Sequence, residues 1–225
     1  MAQTPKLRSR LWYLRKVLIV LFMIYAVAAM LHWPVGFTFF TQLSNLFAAG
    51  VSLWQLLSRG QSPKSYLAKY TAAVSITVTF FLFLLVLAPL DPRGIPAAYA
   101  QDHYASLCMH LIIPILTVWD FLADSRDVAV LKKSHVFMAL LPPMAYFLFI
   151  LLLGSFGFRW NGMTAPYLFL NYAAPAGWFG FLPETAGRTT LGVGVFYAVL
   201  LLLFVFLLVG RVLLAAAQAF SARRS

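Results

Sequence analysis

Apolar residues in this chain come in continuous Leu/Phe/Val/Ala runs, separated by short basic or aromatic segments, and not in short alternating stretches. Six runs, at about 17–35, 37–57, 70–90, 104–123, 136–156 and 190–214, are each long enough to cross ~30 Å of hydrocarbon as a helix of ~20 residues. Inside lipid only helices and closed barrels satisfy every backbone group, and unbroken apolar runs exclude the alternating strands of a barrel. The pattern predicts an all-α, polytopic membrane bundle of six transmembrane helices in which residues 1–225 form one transmembrane domain.

Composition and charge sharpen this picture. A chain of 225 residues that is 62% hydrophobic and 10% charged is not a soluble globule. Seventeen Lys+Arg against six Asp+Glu give a formal net charge of +11, which in a soluble chain would suggest nucleic acid. Most of these cations lie between apolar runs, so they report orientation and no nucleic-acid partner is expected. Lys6, Arg8, Arg10, Arg15 and Lys16 precede the first run, and Arg59, Lys64 and Lys69 follow the second. Arg126, Lys132 and Lys133 follow the fourth, and Arg211, Arg223 and Arg224 end the sixth. These fourteen face only Arg93, Arg159 and Arg188 on the other side, which predicts both termini in the cytoplasm of a multi-pass plasma-membrane protein. A rival reading takes the basic start, Val17–Tyr25 and Ala26-Val27-Ala28 as a cleaved signal peptide. Against it, the apolar character continues through Met30–Val35.

The segment from about Gly157 to Thr189 is long, nearly neutral and rich in Trp, Tyr, Phe and Pro, as expected of an interfacial cover over the outer face or of a simple aromatic belt. Trp160, Tyr167 and Asn171 in it are candidate lid or substrate contacts. Pro142-Pro143 predict a kink near the start of the fifth span, and no internal repeat of the transporter kind is visible.

The chemistry has to come from polar residues inside the spans. There is no GxSxG, HExxH, GxxxxGK[ST] or strand-bounded GxGxxG, and the single Cys108 excludes a disulfide framework or a thiolate metal cluster. The six carboxylates all fall at span ends or outside the spans: Asp91, Asp102 and Glu184 on one side, Asp120, Asp124 and Asp127 on the other. A mid-membrane carboxylate relay is therefore not expected. Two polar faces remain. Thr41, Ser44 and Asn45 stand at i, i+3 and i+4 near the start of the second run, and His110, Pro114 and Thr117 share a face near the start of the fourth. Depths of about 6 Å for Thr41 and about 9 Å for His110, at 1.5 Å per residue, let the two meet at one level. An imidazole within reach of a hydroxyl is a minimal general base for an oxygen nucleophile. Ser44 and Asn45 would add oxyanion or polar support, and Asp102 is a candidate third member. The competing reading has the hydroxyls and the amide bonding backbone carbonyls and His110 bridging helices. His32, His103 and His135 lie at span ends.

The stretches FTQLSNLFAAGVSL (residues 40–53), MHLIIPILTVWDFL (109–122) and APYLFLNY (165–172) resemble the androgen-induced and androgen-dependent membrane hydrolases and their bacterial six-span relatives, with SNL and WDF nearer the bacterial branch. The resemblance covers roughly residues 15–210 and implies a membrane-embedded Thr–His pair acting on lipid esters, notably fatty-acid esters of hydroxy fatty acids, with Thr41 as nucleophile and His110 as base. The expected function is thus an intramembrane, threonine-dependent lipid-ester hydrolase with a membrane lipid as substrate, no metal and no cofactor. The alternative is a small transporter or a lipid- or solute-binding membrane protein without catalysis. A b-type haem carrier would need two facing histidines deep in the bundle, and only His110 lies clearly inside. Oligomeric state is not legible in the sequence.

Overall fold

A computed structural model describes residues 5–125, 131–182 and 192–222, which leaves Arg126, Asp127, Glu184, Arg188, Arg223 and Arg224 outside the described residues. The described chain is an all-α helical bundle, with isolated β-bridges only at Trp160–Met163 and Phe181–Val193. Its helices are α1 (Pro5–Met30), α2 (Phe40–Leu57), α3 (Pro63–Leu82), α4 (Ile95–Leu107), α5 (Ile113–Ala123), α6 (Leu141–Ser155) and α7 (Val195–Ala222). A π turn at Phe83–Leu87 extends α3, a second at Cys108–Ile112 joins the end of α4 to α5, and a 3-10 stretch at Lys133–Leu140 leads into α6, while α4 itself is broken by a kink where Gln101–Tyr104 leave helical geometry.

Five of the six expected spans are helices long and apolar enough to cross a membrane: Arg10–Met30, Pro63–Leu87, Ile95–Ala123, Lys133–Ser155 and Val195–Ser221. The run expected at 37–57 falls outside that class. It opens with a 3-10 turn at Pro34–Thr38, and its α-helical part is 18 residues long. Ten of those residues are buried, among them Thr41, Gln42, Ser44, Asn45, Ser52 and Gln55. Such a composition suits a helix enclosed by its neighbours, and α2 packs chiefly against α1 and α3.

Two local devices shape the rods. A capping box between Ser62 and Ser65, with Pro63 in the first turn, starts α3 ahead of the expected position 70. Pro142 and Pro143 stand in the first turn of α6, where 3-10 geometry gives way to α, so the expected kink is this junction. The aromatic segment does fold back: the hydroxyl of Tyr172 and the carbonyl of Thr164 sit so close to Gly154 of α6 that a β-carbon there would lie 2.8 Å from each. Only glycine permits that approach.

The largest departure from the sequence reading concerns charge. Arg15 and Lys16 of α1, Lys69 of α3, Asp120 of α5 and Asp124 at its C-cap form one buried cluster. Lys16 Nζ is 2.9 Å from Asp120 Oδ1 and 3.1 Å from Asp124 Oδ2, and Lys69 Nζ is 2.7 Å from a carboxylate oxygen of each aspartate. Arg15 reaches Asp120 Oδ1 through Nε at 2.9 Å and Asp124 Oδ1 through Nη2 at 2.7 Å. Trp12 and Trp119 cover the cations at 4.1 Å from Lys16 and 5.5 Å from Arg15. Asp120 and Asp124, expected where the fourth span ends, are therefore internal, because each carboxylate has found cations on two other helices. Three of the fourteen cations counted for orientation belong to this cluster, and the remaining eleven still outnumber the opposing three.

Candidate active site

α2 begins at Phe40 after Phe39 in extended conformation, so the backbone amides of its first turn have no partner within the helix. The side chain of Tyr167, on the returning segment, occupies this end. Its phenol oxygen hydrogen-bonds with the side chain of Thr41 and with the backbone of Thr41 and Phe40. Burial raises the phenol above its ordinary range despite those bonds, which keeps it protonated at neutral pH.

Thr41 is 5% exposed and stands between two spaces. On one side is a cavity of about 540 Å³, whose polar lining includes Thr41, Gln42, Gln101, Asp102, Ser106 and His110. On the other is an almost wholly apolar compartment of about 70 Å³ between α2, α3, α6 and α7, lined by Phe40, Leu82, Tyr146, Leu203 and Phe206 among others. Tyr167 and Phe169 border both.

Both π turns build the wall opposite Thr41. Each ends two residues before a proline, Pro89 after Phe83–Leu87 and Pro114 after Cys108–Ile112. Proline has no N–H to complete the preceding α turn, and the wider i→i+5 turn is one way to absorb that loss. Phe83 and His110, one from each turn, stack face to face with ring centroids 3.6 Å apart and 11° between planes. His110 Nδ1 is enclosed and has no partner among the described residues, which leaves Nε2 as the nitrogen able to serve the cavity.

Thr41 and His110 therefore line one cavity, as their matched depths suggested, but the partner of the Thr41 hydroxyl is Tyr167 and no hydrogen bond to His110 is present. Asp102 lies at the cavity edge and faces His32 at 3.5 Å, with no bond to His110. Ser44 and Asn45 do not line the cavity. The Ser44 hydroxyl donates to the Thr41 carbonyl at 2.9 Å, and the Asn45 amide donates to the Thr41 carbonyl at 2.8 Å and to the Met109 carbonyl at 3.1 Å. Asn45 thereby ties α2 to the π turn that carries His110, while the Ser44 bond stays within α2. Of the loop candidates, Tyr167 reaches the cavity. Trp160 instead donates its indole N–H to Thr38 at 2.7 Å, and Asn171 accepts from Thr164 within the segment.

Gln42 was not among the residues singled out from the sequence. It is 6% exposed, lines the same cavity, and its Oε1 has no partner among the described residues. Its Nε2 donates only to the sulfur of Met30 at 3.9 Å, a weak acceptor. The available signal was its position, a polar residue between Thr41 and Ser44 in the polar opening of an apolar run. Phe83 had none, being one phenylalanine of 21.

At the cavity edge, Asp102, His103 and Tyr104 all have positive φ, at 50°, 53° and 66°. Three consecutive non-glycine residues in the left-handed region cost of order 1–2 kcal/mol each, and such backbone concentrates at functional sites. Asp91 steadies this edge by accepting hydrogen bonds from Arg93 and, at 2.8 Å, from Gln101. No cluster of potential metal ligands exists among the described residues. Comparison with family models, curated proteins and solved structures found no match.

Proposed function

We propose that this chain is an intramembrane lipid-ester hydrolase in which Thr41 is the nucleophile and His110 the general base. The observation that carries the reading is that the threonine and the histidine line one cavity and that Thr41 also borders an apolar compartment. An ester whose acyl chain lies in the compartment would present its carbonyl to Thr41. The Thr41 oxygen would attack the acyl carbon and pass its proton to His110 Nε2, and the leaving alcohol would take that proton as the C–O bond breaks. Water would then attack the acyl-threonine, give a proton to His110, and release the acid as Thr41 regains its hydrogen. The Nε2 of Gln42, held only by the weak acceptor sulfur of Met30, is freer to donate to the developing oxyanion than Ser44 or Asn45, whose donors are engaged by carbonyls. Fatty-acid esters of hydroxy fatty acids, the substrates implied by the family resemblance, fit this division into apolar and polar-edged space.

The second reading, a lipid- or solute-binding protein without catalysis, is favoured by the engagement of the Thr41 hydroxyl by Tyr167 and by the lack of an orienting partner on His110 Nδ1. A fluorophosphonate probe on the purified protein separates the two. Labelling is expected on Thr41, lost in Thr41→Ala, retained in part in Thr41→Ser, and lowered by ~10²-fold or more in His110→Ala. Unlabelled wild-type protein that still binds a lipid or solute would establish the second reading.

A further inference from the structure

We propose that one acyl chain of a bilayer lipid reaches Thr41 sideways, through a groove between α2 and α6, by displacing the aromatic partition formed by Phe40 and Tyr146. This inference rests on the reading of Thr41 as the reacting residue, and it names the path and the chain-binding surface of that site.

The groove has a volume of about 450 Å³ and opens on the outer flank of the bundle. Phe40, Leu43 and Phe47, spaced i, i+3 and i+7 and so on one face of α2, form one wall, and Pro142, Ala145 and Phe149 of α6 form the other. Two of the lining side chains are small: Ala145, and Ser44, whose hydroxyl is turned onto the Thr41 carbonyl. The walls thus offer hydrocarbon, with the Tyr146 hydroxyl the one lining donor that has no partner among the described residues. α6 belongs to a helical stretch, Lys133–Ser155, long and apolar enough to cross a membrane, so a recess on its flank opens onto acyl chains.

The inner end of the groove identifies its occupant as a chain continuous with the site. Phe40 and Tyr146 line both the groove and the apolar compartment that ends at Thr41, and their ring centroids are 5.1 Å apart. These two side chains stand where the two spaces adjoin. The compartment, at about 70 Å³, is less than half the ~150 Å³ that accommodates benzene in an engineered protein cavity, so it holds only the carbons next to the ester carbonyl. The rest of a fatty chain needs a further apolar surface, and the groove supplies one in line with it. Phe206, 5.8 Å from Phe40, and Tyr167, 6.3 Å from Tyr146, extend the aromatic partition on either side. A ring pair can swing aside by rotamer change without breaking the backbone bonds of either helix.

The test uses the full chain in vesicles containing a phospholipid with a photoactivatable group on its acyl chain, together with two fluorophosphonates, one long-chain and bilayer-dissolved, the other small and water-soluble. The plugging variant is Ala145→Trp. Photo-crosslinks are expected in wild type at Thr79 and Leu203, inside the compartment, and are expected to disappear in the plugged variant. Reaction of Thr41 with the long-chain probe should fall by about tenfold or more, equivalent to ~1.4 kcal/mol in the barrier, while reaction with the small probe stays within about twofold. Phe40→Ala, which opens the partition, should raise the long-chain rate and keeps the proposal testable if Ala145→Trp does not fold. Crosslinks in the compartment that persist after plugging, or long-chain and small-probe rates that are equally unaffected by both substitutions, would overturn the proposed path. If neither probe reacts with wild-type Thr41, the hydrolase reading fails by itself. The crosslinking result then decides whether the groove carries lipid to that compartment.

Discussion

Replacing Gln42 by leucine removes a buried amide whose oxygen lacks a partner and whose nitrogen meets only sulfur. An unpaired buried amide costs of order 1–3 kcal/mol, so Gln42→Leu is expected to hold or raise thermal stability in detergent. The same change should lower the reaction of Thr41 by ~10²–10³-fold, as loss of an oxyanion donor does. A purely structural Gln42 would give the opposite pattern, destabilisation with labelling intact, so unfolding and labelling measured on one sample decide the matter. Thr41 and His110 stand out in the sequence because polar side chains inside long apolar runs are costly and therefore informative. The tasks of Ser44 and Asn45 follow the competing reading, in which such side chains bond backbone carbonyls: both donate to the Thr41 carbonyl within α2. Only the second bond of Asn45, to the Met109 carbonyl, depends on how close the next helix comes, and its partner was not legible.

Helices were legible as apolar runs, but several of their ends were not, and electrostatics explains part of the difference. The first run was expected from about 17 and the third from about 70, whereas α1 contains Arg15 and Lys16 and α3 contains Lys69. A charged residue looks like a span boundary until its partner is known, and here the partners lie 105 residues beyond Arg15, 104 beyond Lys16 and, for Asp124, 55 beyond Lys69. Nothing in hydropathy marks the π turns either, although each precedes a proline at the same spacing. The connection after α3 has its own expected behaviour. Hydrogen bonds from Arg93 hold the Asp91 carboxyl at about 2, below the usual carboxylate range, and the same carboxylate holds Gln101 beside the left-handed residues. A depressed folded-state pKa contributes stability that is complete above the unfolded value near 4 and is lost as pH falls through about 2. Acid unfolding of the wild type should therefore show a limb between about pH 4 and 2 that Asp91→Asn reduces.

Taken whole, the molecule is a bundle closed at two levels, by the cavity residues near the start of α2 and by the charge cluster beside the end of α5. Reporter fusions at Lys64 and Lys132 are expected to read cytoplasmic and one near Ala174 external, since the cations outside the cluster keep their bias; opposite signals would invert the orientation. Asp120→Ala leaves Arg15, Lys16 and Lys69 with Asp124 alone, and breaking one member of a buried ionic group costs about 3–5 kcal/mol. Its signature would be a lower midpoint of thermal inactivation for the whole bundle, with Thr41 still reactive in the fraction that remains folded. The same cluster also bears on biosynthesis. α1 and α3 leave the ribosome carrying three cations whose carboxylate partners follow over a hundred residues after Arg15 and Lys16 and, for Asp124, 55 residues after Lys69, so both helices must wait, with their charged ends held at the headgroups, until α5 has been synthesised. Helix insertion and helix assembly are thereby separated in time, and the arrival of Asp120 and Asp124 is the event that permits α1 and α3 to lock onto α5.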